Sequence, residues 1–241
     1  MKTLIYSKRN LKELLNDPIS LIFIIGLPVF LLIFMVSLNK SLSFNESFEV
    51  ENFVPSTIIF SYTFLTMFSG MLIAKDRTSS FLSRMFVSPL KAYNYILGYM
   101  FPILIIALIQ TVILYIVGFI LGLAVTINIL YSIIFLLIIS ILFISLGLLF
   151  GSVLKDQQVG PITSILIQVV AFLSGMWFSL DLIGGAFKKV GYLLPFAHSV
   201  DLIRDIIKTN SINTKSLIVV LIYIIGITVL AILVFKKNMK K

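Results

Sequence analysis

The run ILYSIIFLLIISILFISLGLLFG, residues 129–151, contains no charged side chain. A helix needs about 20 predominantly apolar residues to cross the hydrocarbon of a bilayer, and this run supplies them without a break. Five further stretches have similar length and character, so the expected spans are 19–38, 55–74, 99–123, 129–154, 159–178 and 216–235. The first is too long an apolar run for a signal-peptide core, and no small-residue cleavage site follows it. The reading is an all-α integral membrane protein with six transmembrane helices, and 1–241 forms one membrane domain.

Composition agrees. Charged residues make up 12% of the chain and hydrophobic ones 59%, whereas a soluble domain carries about 25% charged residues. So little polar surface cannot coat a globule in water. The net charge of +9 points to anionic headgroups rather than nucleic acid, because membrane proteins gather Lys and Arg in their cytoplasmic connections. With the N-terminus cytoplasmic, 13 of the basic residues fall on that side and 6 on the other. The acidic loop NESFEVENF then lies outside, and both termini lie inside, as in a multi-pass protein of the cell membrane. No cysteine is present, which excludes disulfides, thiolate metal sites and thiol catalysis.

Three segments outside the spans carry helical patterning. Residues 1–18 place Leu4, Leu11 and Leu15 on one face, away from Lys2, Arg9 and Glu13, and Asp17-Pro18 closes the stretch; this is an interfacial helix on the inner leaflet. Residues 182–212 place Phe196, Val200, Ile203 and Ile207 at helical spacing opposite Asp201, Arg204, Asp205 and Lys208. They read as short amphipathic or re-entrant helices at the outer interface. His198, the only histidine, has no second ligand nearby in sequence and is assigned a structural or solvated role rather than a metal one.

The third segment, 76–87, joins the second and third spans. On a helical projection Phe81, Leu82, Met85 and Phe86 fill one sector; Asp76, Ser79, Ser80 and Ser83 fill the opposite one; and Arg77 and Arg84 flank the apolar stripe. Pro89 stops the helix. Serines offer little to lipid, so the pattern suits a helix that docks in a groove of a partner, with the arginines meeting its carboxylates.

Chemistry inside the spans is sparse. No ionisable residue lies in the interior of an assigned span, which argues against a proton-coupled carrier. No serine has a histidine partner and no carboxylate pair is close, so a membrane enzyme is not indicated. A Gly-x4-Gly-Lys-Ser/Thr phosphate loop is also missing, so ATP is not hydrolysed here by that route. Gln110 and Gln168, with Ser61, Thr63, Thr66, Ser140 and Ser145, are among the polar residues available for interhelical hydrogen bonds or a substrate path. Gly118-x3-Gly122 and Gly147-x3-Gly151 would admit close helix approach.

The stretch IAKDRTSSFLSRMFVSPLKAYNYILGYM, running on to LIIALIQ, resembles the permease subunits of the type 2 exporter family of ABC transporters. Members carry an acidic-Arg-acidic-x-Gly-Thr-Leu-Glu-Arg-Leu-Leu-Val-Thr-Pro-like string after the second span. Asp76, Arg77, Leu82, Arg84, Val87, Ser88 and Pro89 fit it, followed by Leu97-Gly98 and Gln110. Thr78, Ser80 and Ser83 depart from it and leave fewer carboxylates for docking. Downstream, Ser174, Gly175, Phe178, Pro195 and Arg204 fit a second family segment, from which Ser179 departs. The resemblance implies a cytoplasmic coupling helix at 76–87 seated on a separate nucleotide-binding ATPase subunit, with Phe81, Met85 and Phe86 as anchors and Arg77 and Arg84 as charge contacts. It further implies short outer helices before the sixth span and pairing of two permease chains, alike or different. ATP and Mg would belong to the partner, with no cofactor on this chain. The substrate expected is lipophilic or amphipathic: a drug, peptide antibiotic, lipid or glycan carrier moved outward. A self-protection protein that does not pump, and a secondary carrier or channel, stand as alternatives. Arg84→Glu is expected to weaken co-purification of the ATPase subunit while leaving membrane insertion intact; unchanged ATPase recovery would remove Arg84 from the docking surface.

Overall fold

A computed structural model describes residues 2–43, 45–79 and 92–238. Ten longer helices and one 3-10 turn, Glu46–Phe48, appear among the described residues. Helix α1 (Lys2–Leu15) leads into α2 (Pro18–Leu42). Asp17 opens α2 by accepting from the Ile19 amide at 3.1 Å and the Ser20 hydroxyl at 2.5 Å, and Pro18 fills the first-turn position where a missing N–H costs nothing. A wide π-turn, Ile22–Gly26, interrupts α2. Next come α3 (Val50–Thr78), α4 (Ala92–Ile120) and α5 (Ile127–Val153). Helix α6 (Asp156–Leu173) precedes three short helices, α7 (Leu180–Ile183), α8 (Gly185–Leu193) and α9 (Pro195–Thr209). The last is α10 (Thr214–Asn238).

Among the described residues five helices are long and apolar enough to cross a membrane: α2, α3, α4, α5 and α10. The stretch expected as a span at 159–178 is shorter. Helix α6 ends at Leu173, because Gly175 takes a positive φ of 77° and turns the chain. It also begins with Asp156, Gln157 and Gln158, so its apolar part falls short of the other five.

Helix α3 is the axis of the bundle, with 89% of its apolar window buried, while α10 lies at the periphery with 17%. Small residues allow the tightest contact, between α3 and α5. A Cβ added to Gly147 would stand 1.9 Å from the Ser69 hydroxyl oxygen and 2.9 Å from the Thr66 carbonyl. One added to Gly151 would stand 2.6 Å from the Gly70 carbonyl. The approach brings the Thr66 hydroxyl within 2.8 Å of the Phe143 carbonyl, to which it donates. Gly118 sits against Val54, but Gly122 has φ 105° and serves the turn after α4 rather than a helix contact. Other polar residues in the core also join helices: Tyr62 to Thr111 at 2.5 Å, Tyr115 to Ser132 at 2.6 Å and Ser145 to Thr228 at 2.8 Å. Ser61, Thr63 and Ser140 instead donate to carbonyls of their own helices.

Gly147→Ala is expected to destabilise the bundle by about 1–3 kcal/mol, the usual cost of overpacking, since its neighbours are a hydroxyl and backbone. Gly226→Ala, where no atom lies within 4 Å, is expected to be neutral or slightly stabilising because alanine favours helix. Melting in detergent separates the two; equal effects would mean that the α3–α5 contact yields freely.

Candidate functional site

Asp76 and Arg77 were expected to open a separate docking helix at 76–87. They belong instead to the last turns of α3, which continues to Thr78. Phe81, Leu82, Arg84, Met85 and Phe86 lie outside the described residues. Thus α3 carries its acidic and basic side chains to the threshold of that segment, and both are engaged within the chain.

Asp76 is 2% exposed. A carboxylate so placed needs charge and hydrogen-bond partners. Arg9 of α1 grips it in a two-pronged pair, 2.6 and 2.9 Å from its two oxygens. Tyr99 of α4 adds a hydroxyl donor at 2.8 Å. Arg9 also reaches Glu13 at 2.7 Å, and Glu13 meets Lys75 at 2.9 Å. Burial alone would pull the Arg9 guanidinium down, but the hydrogen bond and charge of Asp76, with the charge of Glu13, outweigh it and hold the pKa above its ordinary value.

The remainder of α1 fits this grip. Tyr6, Ser7, Asn10 and Leu14 turn inward, whereas Leu4 and Leu15 are exposed. Of the leucine face read from the sequence, Leu4 and Leu15 stay exposed, while Leu11 is partly buried against the core. The Tyr6 ring stands edge-on to Tyr95 and Tyr99, with centroids 5.9 and 5.2 Å away. Burial pushes the Tyr6 hydroxyl well above the ordinary phenol range. Asn10 donates to the Gly98 carbonyl at 3.0 Å. Gly98 is required by the Tyr6 ring: a Cβ there would lie 2.2 Å from Tyr6 Cδ1. Gly98, of the Leu97-Gly98 pair singled out in the sequence, is thus the seat of α1, while Leu97 stays exposed.

Arg77 points the other way. Its guanidinium donates to the carbonyls of Ser152 and Leu154, at the end of α5, where a cation suits the unpaired carbonyls and the helix dipole. Asn238 of α10 donates to the same Ser152 carbonyl at 2.6 Å. Five elements therefore meet at one end of the bundle: α1, the end of α3, the start of α4, the end of α5 and the end of α10.

The opposite end has its own tie. Pro195 occupies the first turn of α9. Arg204 of that helix donates to the Asn52 carbonyl at 3.1 Å, the Ser56 hydroxyl at 2.8 Å and the Gly175 carbonyl at 3.0 Å. Burial lowers its pKa and raises that of the neighbouring Asp201, whose carboxylate accepts from the Tyr192 hydroxyl at 2.9 Å. His198 is buried with its ring nitrogens 3.1 Å from the Ser216 hydroxyl and 3.1 Å from the Tyr192 carbonyl, which is a structural placement. No group of metal-ligating side chains occurs among the described residues.

Gln110 and Gln168 do not share a site. Gln110 is fully buried and donates to the Ile24 carbonyl at 2.6 Å, while Gln168 lies on the exposed side of α6. The residues missed by sequence reasoning are Tyr6, Asn10 and Tyr99. Their signal was the spacing of Tyr6, Asn10 and Leu14, four residues apart and beside Arg9.

The seating of α1 predicts that Gly98→Ala displaces Tyr6 and lowers stability by about 1–3 kcal/mol, whereas Lys75→Ala, at an exposed ion pair, costs under about 1 kcal/mol. Protease access to the α1 segment in detergent reads the first effect directly; an unaltered digestion pattern would contradict the seat.

Comparison with known proteins is consistent with this architecture. A sequence model of one family, described as ABC-2 type transporter, matches residues 1–208. No curated protein matches the chain. The matched region covers α1 through most of α9 and contains both polar ties, and by it the chain belongs to the ABC-2 type transporter family, as a multi-pass transmembrane permease component.

Proposed function

We propose that this permease exports a lipophilic or amphipathic compound, driven by a separate ATPase subunit that seats on the segment following Thr78. The observation that supports the reading is the collar at Asp76 and Arg77. These two residues stand immediately before that segment and bind α3 to α1, α4 and α5. A displacement of the segment by ATP-driven closure would act on four helices together rather than on one. Arg84 and the apolar residues Phe81, Met85 and Phe86 are the docking contacts in this reading, since Asp76 and Arg77 are already engaged inside the chain.

The collar end is cytoplasmic in this account, which agrees with its basic residues, and the outer tie at Arg204 faces away from it. Helix α6 completes a six-helix crossing with the help of the α7–α9 cap, and two permease chains enclose the path. The apolar spans, poor in ionisable groups, suit a substrate that moves at or near the lipid.

Purification in mild detergent from native membranes tests the proposal. A soluble subunit with a phosphate-binding loop, recovered in a 1:1 ratio with the permease, is the expected result, with ATP hydrolysis that rises in the presence of substrate. Recovery of the chain alone, together with nucleotide-independent transport in vesicles, would contradict it.

A further inference from the structure

The first long helix widens where Pro28 withholds an N–H, and a residue from another span donates to a carbonyl of the widened turn. In an uninterrupted α-helix the carbonyl of Ile24 would accept from the amide four residues on. That residue is Pro28, which has no N–H to give. The helix widens into its π-turn just here, over Ile22–Gly26. Ile24 and Pro28 both lie on the buried side of α2, with Ser20, Leu32 and Val36 at the same four-residue spacing, so water cannot take the missing donor's place. Gln110 of α4 does: its Nε2 donates to the Ile24 oxygen at 2.6 Å. Its Oε1 has no hydrogen-bond partner among the described residues. The amide is thus oriented for donation at the expense of its own acceptor.

We infer that Gln110 is a positioning residue for a hinge in α2, substituting for the proline's absent N–H and holding the broken turn in register with α4. The half of α2 below the hinge begins next to α1, the helix clamped on Asp76. The half above it carries the exposed Phe30 and Phe34, whose rings stack at 5.7 Å. Along α2 itself, motion entering through α1 reaches the outer half through the turn that Gln110 holds. The purpose given to the hinge rests on the transport reading, but the latch itself is tested without it.

The chain has no cysteine, so nitroxide labels can be placed at Ile19→Cys and Phe34→Cys, exposed positions on either side of the break, and their separation measured by pulsed electron resonance in the purified permease. Gln110→Leu keeps the bulk and removes the donor. It is expected to broaden the distance distribution and to lower Tm by about 2–6 °C. Pro28→Ala in that background restores an N–H four residues after Ile24; it is expected to narrow the distribution again and recover most of the Tm. A residue that merely fills space predicts neither the broadening nor the rescue. An unchanged distribution in Gln110→Leu, or failure of Pro28→Ala to restore it, would overturn the inference. Failure to recover an ATPase subunit would end the transport reading while leaving these distances as they are.

Discussion

A carboxylate buried at the end of an apolar helix needs charge and hydrogen-bond donors brought to it, and Asp76 makes that demand at the point where α3 leaves the bundle. The chain meets it with Arg9 and the Tyr99 hydroxyl. From this follow the location of α1, the inward face of Tyr6 and Asn10, and the bare backbone at Gly98 on which they rest. Removing one member of such a pair leaves the other desolvated, which costs more than the pair contributes when whole. The arrangement therefore acts as a joint: strong while complete, and sensitive to whatever displaces α3.

Arg77 extends the joint to the end of α5 through carbonyls rather than carboxylates, and Asn238 of α10 shares one of those carbonyls. Between this collar and the Arg204 tie, α3 runs as a buried rod against α5, held at backbone contact by Gly70, Gly147 and Gly151. A rod fixed at both ends and packed without slack carries displacement along its length better than it bends. That mechanical character is what the proposed coupling through the segment after Thr78 would require of α3.

Much of this was legible in the sequence, and the reasons for the misses are physical. Charge-free runs such as 129–151 identify spans because length and polarity alone decide them. The stripe Phe196, Val200, Ile203 and Ile207 is buried as its spacing suggests. The N-terminal helix was read from its leucines as interfacial, but the mixed face of Tyr6, Asn10 and Arg9 that packs on the bundle has no apolar periodicity to announce it. The extent of α3 was misjudged because Asp76 and Arg77 look like surface residues until their partners, tens of positions away, are known. Gln110 was identified as notable, but its role depends on Pro28 in another helix. Nothing in the local pattern of either residue reveals the other.

The most direct test of the account is a double-mutant cycle between Arg9 and Asp76, with stability measured for the parent, Arg9→Gln, Asp76→Asn and the combination. The structure predicts that each single substitution is destabilising and that the double loses less than their sum, with a coupling on the order of 1–2 kcal/mol. Effects that simply add would show that α1 is not held through Asp76, and the joint on which the rest depends would fall with that result.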